Sequence, residues 1–144
     1  MSAAESADAL LRALTQRDAA AAVAALGGGE LEIVPLGIKG PAAEVGAQYF
    51  GDLFAAFPEL EVSATRTVVG GDRALLEVVL SGAPKQPYLD LPVKDGKRLT
   101  SRQAWTLTAG PGGTSAKAFY CLNEVKWSLG ANKSYEEAIA GSAS

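Results

Sequence analysis

The sequence predicts an α+β domain in which helices come first and a strongly curved, mainly antiparallel sheet wraps around them. Three observations carry this. Apolar residues recur at helical spacing up to Phe57, polar and apolar residues alternate from Leu60 to Leu122, and glycine-rich turns cut the alternating part into hairpins.

Taken in order, Ser2 and Glu5 form a capping box, and Leu10, Leu11 and Leu14 then share one face of a helix over about Ala3 to Leu14. Asp18 caps a second helix through Ala19 to Leu26, which Gly27, Gly28 and Gly29 end. Glu30-Leu31-Glu32-Ile33 alternates as a short strand with one wet face. Pro41 suits the first position of a third helix, whose apolar positions Val45, Tyr49, Phe50, Leu53, Phe54 and Phe57 continue until Pro58 stops it. Beyond Pro58, a strand from Leu60 to Val68 turns at Gly70-Gly71-Asp72 into a second from about Arg73 to Ser81. A longer connection, Gly82 to Lys97, carries Pro84, Pro87 and Pro92. It leads to a strand over Arg98 to Thr108 that pairs with Ser115 to Leu122 across the turn Gly110-Pro111-Gly112-Gly113. Asn123 is expected to cap a last short helix through Trp127 and Leu129, with Gly130 as its stop. The expected organisation is one domain over 1–130 and a peripheral tail over 131–144.

The 144 residues, 48% hydrophobic and 20% charged, suffice for a core without metal or disulfide support. A net charge of -3 with no basic cluster argues against nucleic acid as a partner. The most apolar stretch, Ala19 to Leu26, is too short to span a bilayer, and Glu5 and Asp8 stand where a secretory signal carries positive charge; a cytoplasmic protein is expected. The chain has no histidine and one cysteine, Cys121. Ser-His and Cys-His nucleophile pairs are therefore excluded, and no transition-metal site of ordinary kind and no cofactor is expected. Any chemistry must rest on carboxylates, Tyr, Lys, Arg, amides or Cys121.

Several stretches together resemble the SnoaL-like polyketide cyclase family of the nuclear transport factor 2-like superfamily, over roughly Ala7 to Gly130. They are Gly40-Pro41-Ala42-Ala43-Glu44-Val45, the run Phe54-Ala55-Ala56-Phe57-Pro58-Glu59-Leu60, Gly71-Asp72-Arg73 leading to Leu80-Ser81-Gly82, Tyr88-Leu89-Asp90-Leu91-Pro92, and Leu129-Gly130. The resemblance implies a conical fold, with three N-terminal helices packed on the curved sheet and an open end that receives a hydrophobic molecule. Members that close rings by aldol chemistry use an Asp near the end of the last strand, assisted by a His. Counting back from Leu129-Gly130 puts that Asp position at Cys121, or at Asn123 with a two-residue shift, so this chain has neither group.

Strand alternation places Phe119, Cys121 and Asn123 on one face and Tyr120 and Leu122 on the other, and only one set lines the cone. For Cys121 the plain reading is a small buried hydrophobe, and for Asn123 a helix cap. Arg102 and Trp105 likewise lie on opposite faces of one strand. Arg102 is a candidate to hold an enolate oxygen against a reading as an exposed salt bridge, and Trp105 is a ligand platform or core. Glu77 interrupts an apolar strand, either at a wet face or as a carboxylate of raised pKa. Asp52 and Asp90 are the other carboxylates near the open end. Tyr49, Phe50 and Leu53 on the third helix are candidate ligand contacts, and Tyr88 and Asp90 form a candidate lid on the Pro-rich loop.

Two functions stay open. One is a cyclase or isomerase of a hydrophobic carbonyl substrate, with Arg102, Tyr49 or Asn123 as hydrogen-bond donor and Asp52, Glu77 or Asp90 as base. The other is a non-catalytic module that binds a hydrophobic small molecule or forms a homodimer through the exposed sheet face.

Overall fold

The computed structural model describes residues 1–131, so the expected tail lies, Ala131 apart, outside the described residues. Helix α1 (Ala3–Gln16) begins at the capping box: Ser2 Oγ accepts from the Glu5 N–H and Glu5 Oε1 accepts from the Ser2 N–H, each at 3.1 Å. Those bonds, the one from the Ser2 backbone first, hold the Glu5 carboxyl below its ordinary range. Ala3, Ala7, Leu10 and Leu14 form its buried stripe. Helix α2 (Ala19–Ala24) is capped by Asp18, whose carboxylate accepts from the Ala21 N–H at 2.9 Å.

Strand β1 (Glu30–Ile33) leads through a 3-10 turn, Val34–Leu36, to a strand the sequence did not signal, β2 (Ile38–Pro41). Pro41, expected to open the third helix, ends β2 and pairs with Glu30. The reason is tertiary: β2 has no alternating pattern of its own and exists by pairing with β1. A π-helical turn, Ala42–Gly46, then runs into α3 (Ala47–Ala56).

Strands β3 (Glu61–Gly70), β4 (Arg73–Gly82), β5 (Leu99–Gly110) and β6 (Gly113–Tyr120) form the two expected hairpins, each strand ending within about two residues of its expected bounds. They join one six-stranded sheet in the order β2-β1-β6-β5-β4-β3. All neighbours are antiparallel except β1 and β6, which run parallel with Ile33 opposite Ala118. The last helix, α4, spans Leu122–Ser128. Asn123 is not its cap: Cys121 occupies that position with no side-chain bond, and Asn123 lies exposed in the first turn. The helix start is tied down from outside instead, because the Glu124 carboxylate accepts from the Arg102 backbone N–H at 2.8 Å.

The helices fill the concave face. Across it, Leu76, Trp105, Ala118 and Ile33 stand in one row and Val78, Gln103 and Tyr120 in the next. The small Ala118 leaves room for the fully buried Trp105 indole, which stacks on Phe50 at 5.9 Å between centroids. At the hairpin end the cone is shut by backbone. A side chain on Gly29 would collide with the Thr114 carbonyl, and one on Gly113 (φ 119°) with the carbonyls of Gly27 and Leu26. Beside them the buried hydroxyls of Ser6 and Thr114 share a 2.7 Å hydrogen bond.

Candidate functional site

The opposite, open end is assembled by α3, the starts of β3 and β5, the ends of β4 and β6, α4 and the long loop between Gly82 and Leu99. Inward residues of β5 carry a polar chain here: Trp105 Nε1 donates to Gln103 Oε1 at 2.9 Å, and Gln103 Nε2 donates to Ser101 Oγ at 3.1 Å. Ser101 and Gln103 are, with Ser6 and Thr114 at the far end, the buried polar residues among those described. Three tyrosines converge on this chain from three elements, Tyr49 from α3, Tyr88 from the loop and Tyr120 from β6. The Tyr49 and Tyr120 hydroxyls are buried and make no hydrogen bond of acceptable geometry, although Tyr120, Gln103 and Tyr88 are the polar neighbours that Tyr49 feels. Burial pushes all three phenols up from their ordinary value. An ordinary phenol, at 10.0, is already a proton donor near neutral pH, and burial keeps these three so into the alkaline range.

Beneath Tyr88, the space between Leu53, Leu80, Leu99, Ser101, Gln103, Tyr120 and Val125 has no room for a water molecule. Outside it lie two grooves. One, about 350 Å³ and largely apolar, is walled by Leu36, Ile38, Val45, Tyr49, Tyr88 and Leu89, with Glu44, Gln48 and Asp52 at its rim. The other, about 370 Å³, lies between Asp52 and residues 86–90. Asp52 borders both, exposed on α3, where it accepts from Gln48 Nε2 at 2.8 Å. Two larger and more open hollows, beside Arg17 and beside Phe119, contain no buried polar atom lacking a partner.

The structure thus brings Tyr49, Leu53, Asp52, Tyr88 and Tyr120 to one end, and Asp90 onto the loop there, but it does not gather the rest. Arg102 lies on the outer face, where its Nε donates to Glu124 Oε2 at 2.7 Å, a bond that raises its pKa further. Glu77 is also outward, bonded to Arg66 at 2.8 Å, so its wet-face reading is the one realised. Phe119 is outward and exposed, which makes Tyr120 the inward residue of that pair. Cys121, expected buried, is exposed where the sheet gives way to α4, and Asn123 is in the α4 first turn. Phe50 and Trp105 are core, stacked on each other, and wall none of these spaces. Sequence reasoning missed Ser101 and Gln103. The signal available was an amide two residues before a tryptophan on one strand face, since a buried indole N–H needs an acceptor. Among the described residues no group of three or more Cys, Asp or Glu is placed to hold a metal, and no helix is long and apolar enough to cross a membrane.

No family model and no curated protein matches the sequence. Solved structures do match. AclR, a hydroxylase candidate from Streptomyces galilaeus, superposes with a TM-score of 0.78 at 14% identity, over 99% of this chain and 92% of that one. A SnoaL-like polyketide cyclase candidate from Jannaschia sp. CCS1 gives 0.71 at 20% identity, over 90% and 94%. SalBIII, an epoxide hydrolase/cyclase-like enzyme with a role in pyran ring formation in the polyether salinomycin, gives 0.64 at 16% identity, over 84% and 92%. Helices held in the concave face of a curved six-stranded sheet, matched along nearly the whole chain, identify the fold as that of the SnoaL-like proteins, the conical nuclear transport factor 2-like fold.

Proposed function

We propose that the chain takes up a hydrophobic carbonyl compound of polyketide-like type at the open end of the cone and promotes its cyclisation or isomerisation by stabilising an enolate oxygen. The observation that carries this reading is the pair of buried hydroxyls on Tyr49 and Tyr120, which neighbour each other yet make no hydrogen bond of good geometry. Leaving a buried hydroxyl unpaired costs about 1–3 kcal/mol, so a ligand oxygen that supplies the partner recovers energy the free protein forgoes. A buried phenol donates more strongly as negative charge grows on that oxygen, in a site without competing water. Asp52, at the rim of the apolar groove, takes the base role. A proton between two carbonyls passes to its carboxylate while the C–H electron pair delocalises onto the oxygen held by Tyr49 or Tyr120. Return of the proton at another carbon is isomerisation. Attack of the enolate carbon on a second carbonyl of the same molecule, whose oxygen then takes the proton, closes a ring. Likeness to cyclases and to an epoxide hydrolase/cyclase-like enzyme supports a reading of this type.

The second reading is binding without chemistry, and one observation favours it: the buried polar residues among those described include no carboxylate. The experiment is a thermal-shift and turnover screen of hydrophobic 1,3-diketones. Saturation at about 100 times Kd stabilises by about 2.7 kcal/mol. Tyr120→Phe is expected to weaken binding about tenfold, and Asp52→Asn to abolish turnover while binding persists. A ligand that binds yet never turns over leaves the binding reading, and no shift with any diketone overturns both.

A further inference from the structure

Tyr88 is the residue common to three separate spaces: the closed interior, the apolar groove beside α3, and the groove beneath residues 86–90. Its ring is therefore a partition. While it stays, the interior admits no water molecule and the hydroxyls of Tyr49 and Tyr120 are out of reach. Tyr88 as a whole is 6% exposed, and its ring meets Phe57 edge-on at 5.2 Å.

The backbone carrying Tyr88 is lightly held. The loop is pinned at Lys85, whose N–H donates to the Ala56 carbonyl at 2.8 Å, and at Lys94, whose Nζ donates to the Gly130 carbonyl at 2.7 Å. Between these pins, among the described residues, the backbone–backbone hydrogen bonds are two, both internal, exchanged between Tyr88 and Leu91 at 2.9 and 3.3 Å. They close a two-residue turn with Leu89 and Asp90 both left-handed, φ 52° and 62°. That turn suits Asn-Gly or Gly, and leucine is among the side chains it disfavours. A strained turn and few outward bonds mean that, among the described residues, releasing the segment breaks little beyond the packing of Tyr88, Leu89 and Leu91.

We propose that residues 86–93 are a lid, that Tyr88 is its plug, and that lifting it joins the two grooves and the interior into one chamber floored by Tyr49, Gln103 and Tyr120. This deepens the reading above by assigning the ligand's entry, and it is tested without any substrate. In a Cys121→Ser background, Ser101→Cys sets a nearly isosteric thiol on the interior wall, and iodoacetamide labelling, followed by mass, reports its access. Labelling is expected to run faster than global unfolding allows. Tyr88→Ala is expected to raise the rate about tenfold or more, and Asp90→Gly, which relaxes the turn, to lower it about threefold. If Tyr88→Ala does not fold, Tyr88→Leu, a smaller plug, serves with the same expected direction. A rate that tracks global unfolding in urea, or that the Tyr88 variants leave unchanged, overturns the lid. Labelling that behaves as expected while no diketone binds keeps the lid and removes the function proposed for the chamber.

Discussion

The two ends of the cone are built on opposite principles. At the hairpin end, backbone meets backbone at Gly29 and Gly113, and the buried hydroxyls of Ser6 and Thr114 satisfy each other. At the open end, two buried hydroxyls go unpaired, two residues without glycine's freedom sit left-handed, and a tyrosine divides three spaces. One end spends its sequence on closure, and the other forgoes stability in a place where a ligand could restore it. Substitutions should therefore have opposite signs at the two ends.

The largest effect is expected at the closed end. Gly113→Ala combines a left-handed backbone with collisions against two carbonyls, and should destabilise by about 3 kcal/mol or more in urea unfolding. Ser6→Ala leaves the Thr114 hydroxyl buried alone and should cost about 1–3 kcal/mol, whereas the double change Ser6→Ala with Thr114→Val should recover part of that loss. An additive double mutant would mean the pair is not coupled.

At the open end the sign reverses. Tyr120→Phe removes an unpaired buried hydroxyl and should stabilise by about 1 kcal/mol. The same residue predicts a pH dependence. Its folded-state pKa is raised above the ordinary 10.0, so its contribution is whole below that pH. Above it the unfolded chain loses the proton while the folded chain keeps it, and stability falls as pH rises. Urea midpoints measured between about pH 9 and 11 should drop less steeply in Tyr120→Phe than in the parent chain. The smallest effect is expected from Arg102→Ala, on the outer face, which should lower stability by less than about 1 kcal/mol, the Glu124 carboxylate keeping its bond to the residue 102 N–H, and should leave ligand binding unchanged. A loss of binding there would move the site off the open end.

Much of the fold was legible because its signals are local. The capping box at Ser2 and Glu5, the Asp18 cap, and the glycine turns at 70–72 and 110–113 each act within a few residues, and each appears where the residues indicate. Strand β2 and the start of α4 were not legible. Ile38–Pro41 becomes a strand through β1, and α4 takes its register from a carboxylate reaching across to Arg102, so neither has a pattern of its own. The candidate site was half legible. Tyr49, Asp52 and Tyr88 stood out by residue type and position, while Ser101 and Gln103 read as ordinary strand residues.

By itself the sequence determined the α+β order, the hairpins, and the absence of any histidine-based chemistry, because composition and near-neighbour geometry need no knowledge of the rest of the chain. Only the tertiary structure decided which face of each strand looks inward. Alternation divides Arg102 from Trp105 and Phe119 from Tyr120, but a period of two is symmetric between faces, and the helices packed against one of them break that symmetry.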